Sequence, residues 1–160
     1  MKRNILIVYY SHSENTRKIA ELIHNEIGGT VVRLQPAAPY PTDYDEVVRQ
    51  AVKEIKAGYT PPLKAGVPDT AAFDTIFVGS PNWIRTVTPP VVTFLKEHNL
   101  SGKTIVPFCS HGGGGEENVL KDIAKLCPDS TVLSGIAILN SGDKTTKGKI
   151  TEWLMKTGIL

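Results

Sequence analysis

At 160 residues and 41% hydrophobic, the chain is long enough to bury a substantial core in one domain, expected over 1–160. A formal charge of +2, with basic residues scattered singly or in pairs, argues against a nucleic-acid partner, and no apolar run approaches membrane-spanning length. Cys109 and Cys127 lack metal-type spacing and are expected as reduced thiols, which points to a cytoplasmic protein with no resident metal.

Lys2-Arg3 precedes the apolar run Ile5-Leu6-Ile7-Val8-Tyr9-Tyr10, which ends with no small-x-small cleavage site and so reads as a strand rather than a leader. Because the run has no polar alternation, both faces of that strand should be buried, as in a parallel sheet. Ile19, Leu22, Ile23 and Ile27 then recur at helical spacing, and Gly28-Gly29 closes the helix. Thr30 to Leu34 is a short β-branched strand, and the linker Gln35 to Pro41 follows. Asp43 to Ala57 forms a second helix with Val47, Val48, Ala51, Val52 and Ile55 on its apolar face and Gly58 as its stop.

A Pro-rich loop, Thr60 to Asp69, leads to a third strand, Thr75 to Gly79. Pro89-Pro90 suits the first turn of a helix carrying Val91, Phe94 and Leu95. Thr104 to Cys109 is the fourth strand and Glu116 to Leu126 the next helix. Thr131 to Leu139 is an uninterrupted fifth strand, and Lys149 to Thr157 is the last helix. Five strands alternating with five helices imply a parallel sheet covered on both faces.

Three strand exits carry unusual chemistry. The first is Ser11-His12-Ser13-Glu14-Asn15-Thr16, hydroxyls and amides at a helix N-terminus, where unpaired N–H groups and the macrodipole favour an anion. Ser13 or Asn15 could equally be a plain helix cap. The third strand exits into Ser80-Pro81-Asn82-Trp83-Ile84-Arg85-Thr86-Val87. Trp83 is either a core residue or a flat indole for stacking on a planar heterocycle. The fourth exits into Ser110-His111-Gly112-Gly113-Gly114-Gly115, either a flexible loop or a backbone that a ring edge can approach. In parallel sheets of this kind all three exits lie at one end, where ligands bind.

The first exit resembles the phosphate loop of the flavodoxins, standing here as Ser11-x-Ser13-x-Asn15-Thr16. That family usually has Gly where this chain has Glu14, so the carboxylate must point away from a bound phosphate. The later exits resemble short-chain flavodoxins and flavodoxin-like proteins in Gly79-x-Pro81-x-Trp83, with Pro90 downstream. They do so again in Gly102-Lys103-Thr104-Ile105-Val106-Pro107-Phe108-Cys109-x-His111-Gly112-Gly113. The likeness covers nearly the whole chain, including Tyr40-Pro41.

The resemblance implies a flavodoxin-like three-layer α/β sandwich, its five-stranded parallel sheet in the order 2-1-3-4-5, and FMN as cofactor. It implies phosphate contacts from Ser11, His12, Ser13, Asn15 and Thr16. The isoalloxazine would lie between Pro81, Asn82, Trp83 and Ile84 on one side and Ser110, His111, Gly112, Gly113 and Gly114 on the other. Flavodoxins commonly use a Gly after the third strand to turn a carbonyl toward reduced flavin. None occurs between Pro81 and Pro89, so Asn82 is the expected substitute in the left-handed region.

Rival readings fail on specific residues. No Walker motif, Gly-x-Ser-x-Gly elbow or Rossmann Gly-x-Gly-x-x-Gly is present, and no Cys stands in the first loop for a phosphatase. A response regulator needs acids after the first strand and Asp after the third, where this chain has Ser11-His12 and Ser80. Cys109, at the end of a buried strand, is expected to be an inert packed thiol.

Two roles remain for the flavin. One is an electron carrier between redox partner proteins; the other is an NAD(P)H-dependent reductase of a quinone, a flavin or a similar small electron acceptor. Carrier flavodoxins are typically acidic, whereas this chain is slightly basic, with Arg85 expected beside the ring.

Overall fold

The computed structural model describes residues 2–160. Its elements in chain order are β1 (Ile5–Tyr9), α1 (Asn15–Ile27), β2 (Thr30–Arg33), α2 (Tyr44–Ala57), β3 (Thr75–Pro81), α3 (Pro89–Glu97), β4 (Thr104–His111), α4 (Val119–Lys125), β5 (Thr131–Val132), β6 (Ile136–Leu139) and α5 (Thr146–Thr157). All strand pairs within the sheet are parallel, in the order β2-β1-β3-β4-β5, with β6 continuing along β4 beyond β5. The expected order and layering therefore hold.

Alternation along β1 sorts its side chains into two cores. Leu6, Val8 and Tyr10 pack with Val47 of α2, Val91 and Phe94 of α3, and Val119 and Ile123 of α4. Ile5, Ile7 and Tyr9 pack with Ile19 and Ile23 of α1 and with Ile150, Trp153 and Leu154 of α5. Each fully buried Leu, Ile or Phe contributes about 1.5–3 kcal/mol, so a sheet covered on both faces accounts for most of the driving force. Gly79 is required by this packing: a Cβ there would lie 2.2 Å from the Phe108 ring, which rests on it.

The fifth strand departs from expectation, being broken rather than continuous. Thr131 and Val132 pair with Thr104 and Ile105, while Ile136 to Leu139 pair with Phe108 to His111. Between them Leu133, Ser134 and Gly135 oppose only Val106 and Pro107, which makes a bulge. Pro107 has no N–H for the ladder, and a Cβ on Gly135 would meet the Pro107 carbonyl at 2.6 Å.

Helix α4 starts three residues later than its apolar pattern suggests, because Gly115 (φ 77°) and Glu117 (φ 44°) hold the preceding turn left-handed. Strands β3 and β4 run two residues further than expected, to Pro81 and His111. That extension puts Pro81, Ser110 and His111 on rigid strand ends rather than on loops.

Candidate functional site

At the carboxyl end of the sheet a cavity of about 490 Å³ opens between the exits of β1, β3 and β4. His12, Ser13 and Asn15 line it from the first exit, Pro81, Asn82, Trp83 and Ile84 from the second, and Ser110, His111 and Gly112 from the third. Convergence of three segments far apart in sequence is thus a fact of the fold. Four expected site residues lie elsewhere. Ser11 lines a neighbouring groove, Thr16 is buried, and Gly113 and Gly114 stand outside the lining.

The first exit is shaped by Glu14, which precedes α1 with φ 72° and makes no side-chain cap. A left-handed residue at this point turns successive N–H groups inward and explains why glycine suits the position. Neither Ser13 nor Asn15 caps the helix; Ser11 Oγ instead accepts the Arg17 N–H at 3.2 Å. Among the described residues, no protein acceptor takes the N–H groups of His12 to Thr16. An anion therefore meets uncommitted donors at the positive end of a helix.

The Glu14 carboxylate is held away from those donors. Arg33 donates to it at 2.8 Å while also donating to the Ser11 carbonyl at 2.7 Å, and Arg17 ion-pairs with it. Hydrogen bonds from Arg33 and then Arg17 hold the carboxyl below its ordinary range. The Thr16 hydroxyl meets the Ser110 hydroxyl at 2.7 Å, and His12 donates from Nε2 to the Pro41 carbonyl at 2.9 Å. Of the first-exit side chains, Ser13 and Asn15 remain uncommitted.

Trp83 is half-buried and borders the cavity. Its ring packs edge-on against Tyr10, His12 and Tyr40, with centroids 5.0 to 5.8 Å away. It is therefore anchored by aromatic packing and also available on the cavity side. Burial raises the phenol pKa of both tyrosines, and in Tyr40 donation to Glu54 adds to the effect, so both stay neutral.

Beyond Trp83 the chain reverses in two residues. Trp83 and Thr86 exchange backbone hydrogen bonds of 3.1 Å each, with Ile84 at φ 52° and Arg85 at φ 69°. This is a type I′ turn, normally the province of Asn-Gly, and a β-branched residue there is an outlier. Asn82, expected to be left-handed, is not; the unusual backbone sits on Ile84 and Arg85. Arg85 pairs with Glu117 at 2.7 Å and its carbonyl accepts the Asn118 N–H at 3.1 Å, which ties the turn to the glycine loop.

Asn82 donates from Nδ2 to the Gly115 carbonyl at 2.9 Å and to Glu117 at 3.0 Å. Both partners are acceptors, so the amide orientation is fixed, and its buried Oδ1 has no partner among the described residues.

Thr42, Tyr44, Val47, Val48, Ala51 and Asn140 also line the cavity, and none was expected there. Helix α2 presents its apolar stripe partly to the cavity, and periodicity cannot tell a core-facing stripe from a ligand-facing one. Asn140 (φ 52°) donates its N–H to the His111 carbonyl at 2.7 Å, a contact made only once β6 lies beside β4.

Among the described residues no Asp, Glu, Lys or Arg lines the cavity. Among the described residues no cluster of three or more His, Cys, Asp or Glu could hold a metal, and no helix is long and apolar enough to cross a membrane. Cys109 is fully buried and its thiol is pushed up to about 12 by burial, which makes it inert.

The chain superimposes on a protein from Bacteroides eggerthii with a TM-score of 0.85 at 26% identity, covering 99% of both chains. A flavoprotein in complex with FMN from Lactobacillus acidophilus aligns with a TM-score of 0.76 at 21% identity, over 94% of this chain and 98% of that one. A flavodoxin from the domain Archaea gives 0.60 at 22% identity, over 98% and 94%. No curated protein shows a significant match. A family model described as flavodoxin matches residues 4–157, and with nearly the whole chain so matched, the protein belongs to the flavodoxin family.

Proposed function

We propose that the protein binds FMN in the cavity at the carboxyl end of the sheet and passes electrons to redox partners. The observation that carries this is one cavity bordered by His12, Ser13 and Asn15 at the start of α1, where backbone N–H groups are uncommitted, and by Trp83, His111 and Gly112 of the other two exits. Its volume of about 490 Å³ falls within the usual range for cofactor sites. The residues present fit the group: a helix N-terminus with unused donors suits one terminal phosphate, and the orphaned Asn82 Oδ1 is an acceptor awaiting a donor.

In this reading the uncommitted N–H groups of His12, Ser13 and Asn15, with the side chains of Ser13 and Asn15, hold the phosphate. Trp83 and Ile84 cover one face of the ring, and His111 and Gly112 meet its polar edge. Bound FMN supplies one- and two-electron redox chemistry that no side chain here provides. The aromatic cluster around Trp83 keeps water from that side of the pocket.

An NAD(P)H-dependent reductase of quinones or flavins is the second reading, favoured by one observation. A groove of about 380 Å³ adjoins the cavity, shares His12 and Thr42 with it, and carries Arg33 and Lys64. Anaerobic mixing with NADH or NADPH separates the two, since rapid flavin bleaching belongs to the reductase and no bleaching to the carrier.

The binding reading is tested by identifying the flavin released on denaturation and by Ser13→Asp. A carboxylate at Ser13 repels the phosphate across a partly desolvated gap, so FMN binding should weaken strongly while the apoprotein stays folded. Release of FAD, or unchanged FMN affinity in the variant, would show that the phosphate lies elsewhere.

A further inference from the structure

His111 closes β4 with its ring against the glycine loop. Its Nδ1 lies 3.1 Å from the backbone N of Gly113 and 3.1 Å from that of Gly115. Both are N–H donors, and an imidazole nitrogen that accepts them carries no proton. The ring proton is therefore on Nε2. Among the described residues no protein group accepts that Nε2–H, and His111 lines the cavity.

The glycines make this possible. Gly113 at φ 138° and Gly115 at φ 77° take conformations that L side chains rarely adopt, and these turn both N–H groups back toward the ring. Asn140 fixes the His111 backbone from the other side. The run Gly112 to Gly115 is thus more than a flexible loop: it holds one histidine in one tautomer.

We propose that His111 is a preset hydrogen-bond donor whose Nε2–H meets an acceptor on the polar edge of the isoalloxazine and holds reduced, anionic FMN more tightly than oxidised FMN. This rests on the FMN reading above. A donor locked before the ligand arrives needs no reorganisation, and its bond strengthens as charge builds on the acceptor. Among the described residues no carboxylate lines the cavity to oppose that charge. Gly113 and Gly115 act through the ring as positioning residues.

Two substitutions separate the ends of the ring. His111→Asn keeps a short acceptor near the Nδ1 position and deletes the Nε2–H. His111→Gln keeps an N–H near the Nε2 position and gives up the loop acceptor. FMN affinity of each apoprotein, and its two-electron potential by dye equilibration, give the ratio of oxidised to reduced binding.

His111→Asn should lose about tenfold in that ratio, a potential more negative by about 30 mV for a two-electron couple. His111→Gln should stay within about threefold of the parent. Nitrogen-15 NMR of the parent apoprotein should show His111 protonated at Nε2 alone. An Nδ1-protonated ring, or an unmoved potential in His111→Asn that still binds FMN, overturns this role while leaving FMN binding intact. A Gln variant matching the Asn variant also overturns it. Failure of the parent to bind FMN overturns both.

Discussion

Thr16 and Ser110, ninety-four positions apart, share a buried hydroxyl–hydroxyl hydrogen bond of 2.7 Å that clamps the start of α1 to the end of β4. Each side chain is at most 2% exposed, so neither hydroxyl has water to fall back on. Thr16→Val should cost about 1–3 kcal/mol in denaturant unfolding, because it strands the Ser110 hydroxyl. Thr16→Val with Ser110→Ala should cost clearly less than the two single changes added together. Strict additivity would mean that the contact does not contribute to stability.

Glu14 occupies a left-handed backbone position while its carboxylate holds Arg17 and Arg33. Glu14→Gly relieves a conformational cost of about 1–2 kcal/mol but loses both ion pairs. We expect little net change in stability and tighter FMN binding, since a negative charge leaves the neighbourhood of the phosphate. Isothermal titration of FMN into the apoprotein checks the second point, and weaker binding would contradict it.

The same residue predicts a pH effect. Hydrogen bonds from Arg33 and Arg17 place the folded carboxyl below its ordinary value of 4.5. Its stabilising contribution is then complete above that ordinary value and is lost as pH falls through the lower folded value. Glu14→Gln should flatten the acid limb of the stability curve below about pH 4.5 while leaving the neutral region's slope unchanged. An unaltered acid limb would show that the guanidiniums do not favour the ionised form.

Trp83 packs on three aromatic neighbours and also faces the cavity. Its fluorescence should be quenched when FMN is added to apoprotein, with little contribution from Trp153, which α5 buries against Phe77. Trp83→Ala should lose about 1–3 kcal/mol of FMN affinity if the indole stacks as aromatics do on bases. Unchanged affinity together with lost stability would make it a packing residue only.

The Ile84-Arg85 turn invites replacement by Asn-Gly, which suits type I′ geometry. The apoprotein should gain about 1–2 kcal/mol in unfolding free energy, less whatever the Arg85–Glu117 pair contributed. In the parent, both turn residues are already left-handed and are tied to Glu117 and Asn118, so the loop has little freedom to rearrange when flavin is reduced. Stepwise photoreduction should accordingly show only modest long-wavelength absorbance from a one-electron form. A near-complete one-electron form would show that the turn rearranges in spite of these ties.

The sequence by itself determined the layers and the end of the sheet that matters. A short apolar run without alternation, rich in β-branched residues, reads as a strand covered on both faces, and its abrupt end at Ser11 marks where the chain leaves the core. Hydroxyls before a helix, an indole after a strand and a glycine run before a helix were each legible as local chemistry.

Only the tertiary structure decided how those pieces divide their labour. Thr16 and Ser110 spend their hydroxyls on each other, and His12 ties down the Pro41 linker. These commitments depend on which strands become neighbours, which no local pattern encodes. The break in the fifth strand depends likewise on Pro107 lying opposite, and the left-handed backbone falls on Ile84 and Arg85 because long-range bonds to Glu117 and Asn118 hold the turn there. The tautomer of His111 was out of reach for the same reason: it is set by where two backbone N–H groups point once the glycine loop has folded back on the ring.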